Sequence, residues 1–279
     1  MIKQLIKANP ICSREVTSPD SLEIAEFFYD TIQGEGINTG CPATFIRVKG
    51  CSLDCTWCDT QEVWRYGNPW TFDELFEMME QTGNSPKAYF GDTIVYDEVD
   101  MVDMLYPVDS VIDKLRKGQH LVLTGGSPLK QQLNLEKFII AFEDKYKFRP
   151  YIEVENECTI MPRPTFSNLV SCWNNSPKLS SSGNNKTLRY KPEILKALSK
   201  LPNSWFKFVI TDETDWKEIE TDFLDREFIQ REQIILMPLG ETKAELDRNR
   251  IIAFELSIKY NVRFTDRLHI TIFDKKTGV

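Results

Sequence analysis

Histidine is nearly absent: His120 and His269 are the only two in 279 residues. That excludes a histidine-rich zinc site and any chemistry that draws on several imidazoles. Positive charge is also short, with 34 Lys and Arg against 42 Asp and Glu and a net charge of −8. Without a basic tract the chain lacks the clustered cations that grip a phosphate backbone, so direct nucleic-acid binding is not expected. No apolar run approaches the ~20 residues needed to cross a bilayer, so no membrane partner is expected either. Residues 1–10 are too polar for a secretion signal, which makes the cytoplasm the expected compartment. Internal repeats are missing, and the polar run Ser180–Asn185 reads as a loop.

The remaining composition, 41% hydrophobic and 27% charged, is that of a globular chain with one large core. An α/β barrel domain can absorb this length, and no linker divides it, so residues 1–279 read as one domain. The stretch 83–107, with Gly83, Pro86, Gly91 and Pro107 among acidic residues, reads as an irregular surface insertion.

Strands are expected at 43–48, 120–124, 151–155, 168–173, 205–210, 234–237 and 261–268, where β-branched, aromatic and apolar residues concentrate. Helices are expected at 71–81, 109–117, 134–147, 192–200, 215–229 and 242–260. Thr71 with Glu74, and Thr242 with Glu245, are capping boxes that open two of them. Alternating strands and helices force parallel pairing with right-handed crossovers. The reading is an α/β fold, a partial or modified (β/α) barrel of about six βα units, with its chemistry at the C-terminal ends of the strands.

Seven cysteines stand at 12, 41, 51, 55, 58, 158 and 172. Their odd number, and the Cys51-x3-Cys55-x2-Cys58 cluster after the first expected strand, point to metal rather than disulfides. Three thiolates can hold three irons of a cubane that normally has four cysteine ligands, leaving one iron open. A structural zinc ion would need a fourth ligand, which Cys41 could offer; three structural cysteines grouped by chance are a third reading. Cys12, Cys41, Cys158 and Cys172 otherwise read as small buried or half-buried residues.

Three further groups stand out. Thr124-Gly125-Gly126-Ser127-Pro128 follows an apolar strand, and its glycines let backbone approach a ligand closely, although alone it is a tight turn. Gln33, Glu35 and Arg47 offer an amide, a carboxylate and a guanidinium, a set suited to a small substrate with a guanidine-like edge and its own carboxylate. Glu153 and Glu155 alternate along a strand and share a face, where one of them reads as a solvated rim charge. His120 reads as structural, Ser176-Pro177-Lys178 by itself as a turn, and His269, at a strand end, as a hydrogen-bonded structural residue.

Together, Ile32-Gln33-Gly34-Glu35-Gly36, Phe45-Ile46-Arg47 and Gly50-Cys51-x3-Cys55-x-Trp57-Cys58-Asp59-Thr60 resemble the 7-carboxy-7-deazaguanine synthase (QueE) family of radical S-adenosylmethionine (SAM) enzymes. The resemblance continues through Thr124-Gly125-Gly126, Glu155, Ser176-Pro177-Lys178, Met237-Pro238-Leu239-Gly240, His269 and the closing Lys276-Thr277-Gly278-Val279, with 61–118 and 180–190 poorly matched. It implies a radical SAM fold. It also implies conversion of 6-carboxy-5,6,7,8-tetrahydropterin to 7-carboxy-7-deazaguanine with loss of ammonia, in queuosine-type 7-deazaguanine biosynthesis. The implied cofactors are a [4Fe–4S] cluster on Cys51, Cys55 and Cys58, SAM, and Mg²⁺ on Thr60. SAM would meet Trp57, Cys58, Asp59, Gly126, Glu155, Ser176, Pro177, Lys178, Met237, Pro238, Leu239 and Gly240. Substrate would meet Ile32, Gln33, Gly34, Glu35, Arg47, Thr124, His269 and the final residue, Val279. An electron donor such as flavodoxin or ferredoxin is implied, and a homodimer is admitted. Ser127 departs from the family pattern, which has an acidic residue there that binds the SAM amino group. Two alternatives stay open: another radical SAM enzyme, such as an activator of glycyl-radical enzymes, and a non-catalytic cluster-bearing interaction protein.

Overall fold

A computed structural model describes residues 3–82, 87–96 and 109–276. Val279 and most of the 83–107 stretch lie outside the described residues. The strands are β1 (Lys3–Lys7), β2 (Ser21–Ile32), β3 (Pro42–Val48), β4 (Asn68–Thr71), β5 (Lys87–Phe90), β6 (Thr93–Tyr96), β7 (His120–Gly125), β8 (Tyr151–Asn156), β9 (Cys172–Asn175), β10 (Ser204–Ile210), β11 (Ile234–Pro238) and β12 (Arg263–Phe264). They form one sheet in the order β12-β11-β10-β9-β8-β7-β3-β2-β1-β5-β6, with β4 also paired to β2. From β3 to β12 every pair is parallel. β2 runs antiparallel to β1, β3 and β4.

The helices are α1 (Gln61–Trp64), α2 (Phe72–Gln81), α3 (Val111–Arg116), α4 (Gln132–Tyr146), α5 (Pro164–Ser167), α6 (Lys186–Arg189), α7 (Pro192–Ser199), α8 (Glu213–Ile219), α9 (Lys243–Tyr260) and α10 (Leu268–Phe273). Both expected capping boxes form: Glu74 N–H donates to Thr71 Oγ1 (3.3 Å) and Glu245 N–H to Thr242 Oγ1 (3.3 Å). A third, Ser110 with Asp113, opens α3. Among the described residues no helix is long and apolar enough to cross a membrane.

The alternating β/α order is as read from the sequence. Barrel closure is not seen: β11 is the strand paired with β12, and among the described residues no pairing links it to the opposite edge. The longest strand, β2, has no counterpart among the expected elements, although Ile24-Ala25-Glu26-Phe27-Phe28-Tyr29 is a buried apolar run broken by one charge. The expected strand at 168–173 lies later, at Cys172–Asn175, after the helical turn α5. The expected helix 215–229 ends at Ile219 and gives way to a π-type turn, Glu220–Leu224. Part of the stretch read as irregular, Lys87–Tyr96, is an antiparallel hairpin extending the sheet beside β1. The expected strand 261–268 keeps only two paired residues; the chain then turns into α10, so His269 is helical.

The main core lies between the sheet and the helices. Phe76 of α2 stacks on Phe138 of α4 (centroids 5.3 Å apart), and Trp216 of α8 stacks on Tyr260 of α9 (4.1 Å). The helices cover the strand faces, leaving the C-terminal ends of the parallel strands as the open rim where loops converge.

Candidate active site

One cleft opens over those strand ends. It is lined from each strand in turn, by Arg47 of β3, Thr124 of β7, Glu155 of β8, Ser176 after β9, Lys207 of β10 and Met237 of β11. Cys51, Cys55 and Cys58 face it from the loop after β3. Neighbouring backbone holds that loop closely. Ser127 N–H donates to Gly50 C=O (2.7 Å), and a Cβ on Gly126 would lie 2.5 Å from both Cys51 Cβ and Gly50 O. Only glycine fits where the two turns touch.

The 180–185 run is more than a loop. Ser180–Ser182 forms a 3-10 turn that lies over the cysteines. Ser182 C=O accepts from Thr56 N–H (3.0 Å), Ser181 C=O from the Trp57 indole (3.0 Å), and Asn184 Oδ1 from Asp54 N–H (3.0 Å). Each sulfur also receives a donor. Asn184 Nδ2 points to Cys55 Sγ (3.1 Å), Trp64 Nε1 to Cys58 Sγ (3.4 Å), and Leu53 N–H (3.4 Å) and Ser127 Oγ (3.7 Å) to Cys51 Sγ. Such bonds favour a thiolate over a thiol. Burial works against them. It pushes the Cys51 and Cys55 thiols up, Glu157 adding to the effect at Cys51, while Lys178 pulls both down.

Cys41 does not join this group. It precedes β3 and the cluster follows it, so the seven residues of β3, at ~3.3 Å each, separate them by about 20 Å. Among the described residues no three His, Cys, Asp or Glu side chains converge on one point as a single tetrahedral ion requires. Thr60 lines the cleft; it stands at the N-cap of α1, but its hydroxyl makes no cap bond. It sits 3.8 Å from Cys58 Sγ.

Opposite the cysteines lies a polar floor. Arg47 gives its Nε to the fully buried Glu26 (2.9 Å), and its terminal nitrogens make no hydrogen bond to the described residues. Neither glutamate of β8 is a solvated rim charge. Glu153 is fully buried and accepts from Gln33 Nε2 (2.7 Å), Asn38 Nδ2 (2.8 Å) and Asn174 Nδ2 (3.3 Å). Glu155 faces the cleft and accepts from Thr124 Oγ1 (2.8 Å) and Gln33 Nε2 (3.1 Å). His120 stacks on Tyr151 (4.1 Å), away from the cleft, with its Nδ1 3.5 Å from Glu153.

Glu35 is the hub of a buried ion network. Arg267 Nε donates to its Oε1 (2.7 Å), Lys207 Nζ to its Oε2, and Arg267 also pairs with Asp59. Burial alone would raise the Glu35 pKa, but Lys207, Arg267 and His269 outweigh it and hold the carboxyl well below its usual range. Burial lowers His269, and the net effect leaves it below its ordinary value despite Glu35 at 3.8 Å. His269 packs so closely on Gly34 that no side chain could stand there, and Leu268 N–H donates to Gly34 C=O (2.9 Å). The segment after β11 and β12 thereby shapes the Ile32–Glu35 wall.

Of the residues singled out from the sequence, Ile32, Gln33, Gly34, Glu35, Arg47, the three cysteines, Trp57, Asp59, Thr60, Thr124, Gly126, Glu155, Ser176, Lys178, Met237, Leu239 and His269 line the cleft. Pro177, Pro238 and Gly240 border it without lining it, although Gly240 C=O accepts from Arg267 (2.5 Å). Val279 lies outside the described residues. The sequence reading missed Glu26, Trp64, Glu157, Asn184, Lys207 and Arg267. For Glu26 and Lys207 a signal exists, a single charge inside an apolar strand run; for the others the sequence carries none.

No family model matches the chain. A 7-carboxy-7-deazaguanine synthase of Pyrobaculum aerophilum is 29% identical over 254 residues, covering 90% of this chain and 94% of that protein. The protein of the same name from Halobacterium salinarum is 28% identical over 277 residues, covering 91% of each. The crystal structure of QueE from Escherichia coli superposes with a TM-score of 0.59 at 20% identity, over 91% of this chain and all of that one, a likeness of fold.

Proposed function

We propose that the chain, like the relatives it resembles over nine-tenths of its length, is a 7-carboxy-7-deazaguanine synthase, a radical SAM lyase of 7-deazaguanine biosynthesis, and that it converts 6-carboxy-5,6,7,8-tetrahydropterin into 7-carboxy-7-deazaguanine with loss of ammonia. The observation that carries the reading is the meeting, in one cleft, of a three-cysteine loop with a polar floor built from Gln33, Glu35, Arg47, Thr124 and His269.

The donor set fits the cofactors. Cys51, Cys55 and Cys58 would each supply one thiolate to one iron of a [4Fe–4S] cluster, and separate irons do not require the sulfurs to converge on a point. The N–H and O–H donors from Leu53, Ser127, Asn184 and Trp64 steady those thiolates. When bound, the reduced cluster and SAM supply the 5′-deoxyadenosyl radical that takes a hydrogen from the substrate. The residues that would border SAM are Trp57, Cys58, Asp59, Gly126, Glu155, Ser176, Pro177, Lys178 and Met237 to Gly240. Lys178 Nζ is held by Ser176 Oγ (2.8 Å) over the Trp57 ring (5.5 Å). The Thr60 hydroxyl suits Mg²⁺, which takes oxygen ligands.

The floor orients the substrate. With Nε engaged by Glu26, Arg47 has its terminal nitrogens available to fork onto the substrate carboxylate. Gln33, locked by Glu153 and Glu155, forms a rigid wall beside Ile32 and Gly34. Glu35 stays ionised and accepts from the amino-pyrimidine edge through the lone pairs that Lys207 and Arg267 leave. The Thr124 hydroxyl and a neutral His269 complete the polar contacts, and a reduced flavodoxin or ferredoxin delivers the electron.

The test is anaerobic incubation of the iron-reconstituted protein with SAM, a strong reductant and carboxytetrahydropterin. Appearance of a deazapurine chromophore and one ammonia per product is expected. SAM cleavage without a deazapurine would refute the substrate assignment.

A further inference from the structure

In the family pattern the turn after β7 carries an acidic residue for the SAM amino group, and here the position is Ser127. That serine cannot do the same work. It is fully buried, does not line the cleft, and its Oγ accepts from Ser52 N–H (2.9 Å) and lies 3.0 Å from Ser52 Oγ and 3.7 Å from Cys51 Sγ. The same Ser52 hydroxyl reaches an acid, Glu157. It donates to Glu157 Oε1 (2.8 Å), which also accepts from Thr159 Oγ1 (2.5 Å).

Glu157 follows β8 and stands in the cleft wall with Cys51, Gly126 and Lys178. It is only 4% exposed, and its second oxygen, Oε2, is buried with no hydrogen-bond partner among the described residues. Neither does any Lys, Arg or His side chain of those residues form an ion pair with it; Lys178 is held by Ser176 instead. A buried carboxylate oxygen without a donor is destabilising, and its charge beside a thiolate-bearing loop is more so. A cationic donor arriving in the cleft relieves both. The two hydroxyl contacts from Ser52 and Thr159, both to Oε1, fix the carboxyl so that Oε2 remains the free acceptor.

We propose that Glu157 binds the α-ammonium group of SAM, supplying from the end of β8 the negative charge that the turn at Ser127 lacks. The inference rests on the proposed use of SAM. An ammonium group fits because it donates up to three hydrogen bonds with full charge, and one directed to Oε2 completes the carboxylate. Ser127 then acts as a positioning residue: through Ser52 it sets the rotamer of Glu157.

The test is a binding cycle on iron-loaded protein, read by calorimetry rather than by turnover. The ligands are S-adenosylhomocysteine and its analogue lacking the amino group. In the wild type, removing the amino group should weaken binding at least tenfold. In Glu157→Gln the same removal should cost less than threefold, with iron content unchanged. An equal loss in both proteins overturns the proposal. If Glu157→Gln loads less iron, Glu157→Asp replaces it, since it keeps the charge but shortens the reach. The amino group must then contribute at least threefold less than in wild type, and an unchanged contribution overturns the proposal. Failure of the wild type to bind SAM or S-adenosylhomocysteine at all would overturn the functional reading itself, a result distinguishable from equal losses in the two proteins.

Discussion

Glu35→Gln removes the charge at the centre of the buried network while leaving the side-chain volume almost unchanged, so no cavity term enters. Arg267 keeps Asp59, but Lys207 loses the one carboxylate that touches its Nζ, and only Glu155 remains as a nearby acid. Lys207 is only 4% exposed, so water does not replace the partner. Removing one member of a buried ion pair costs about 3–5 kcal/mol. The lysine has an escape that caps the loss: it can give up its proton. Holding a lysine neutral at pH 7 when its unfolded value is about 10.4 costs at most about 4.6 kcal/mol, at 1.36 kcal/mol per pH unit. The expected loss is therefore ~3–4.6 kcal/mol. In wild type the Lys207 pKa is raised, because Glu35 and Glu155 outweigh burial, so lysine titration contributes nothing to stability between pH 7 and 9. In the variant the unfolded chain binds one more proton than the native one, so stability rises with pH by up to about 1.4 kcal/mol per unit. Urea unfolding of both proteins at pH 7, 8 and 9, at equal iron content, reads this directly. A loss below about 1 kcal/mol, or a gap independent of pH, would refute the account of Lys207 as a cation held by Glu35.

Gly126→Ala should cost most of the bound iron, because the new methyl meets Cys51 Cβ and the Gly50 carbonyl at 2.5 Å; normal iron per chain would show that the turn can retreat. Asn184→Leu removes the donor to Cys55 Sγ, so the cluster potential should fall while iron content stays near wild type; an unmoved potential in a redox titration would show that the bond does not reach the cluster. His269 is held below its ordinary value by burial first, with Arg267 and Lys207 acting the same way. Its stabilisation is present above the unfolded value of about 6.5 and is lost as pH falls through the lower folded value. Tm should therefore drop more steeply below pH ~6.5 in wild type than in His269→Gln, and parallel profiles would count against it. Thr60→Val should abolish any Mg²⁺ stimulation of turnover without loss of iron; an unchanged Mg²⁺ response would remove Thr60 from the metal site.

Sequence alone determined the local features, since their causes lie within a few residues. The capping boxes at Thr71 and Thr242 form as read because each joins a cap to a residue three positions on. The spacing of Cys51, Cys55 and Cys58 keeps them on one loop in any fold that turns there, and the parallel order from β7 to β11 follows from alternating strands and helices. Where the local signal was weak, the reading slipped. The sequence puts His269 at the end of a strand over 261–268, but the pairing that would hold that strand ends at Phe264. Glu153 was open to reading as a rim charge, because whether a strand face is wet depends on what packs over it. Only the tertiary structure decided which distant groups complete the site. Lys207 meets Glu35 across 172 residues, Arg267 across 232, and Asn184 reaches Cys55 across 129. A buried charge is tolerated only where folding delivers its partner, and that partner comes from whichever strand end or loop the topology places beside it. The unpaired oxygen of Glu157 follows the same rule: its neighbours Ser52 and Thr159 come from different loops, and no local pattern could announce that one acceptor would be left open.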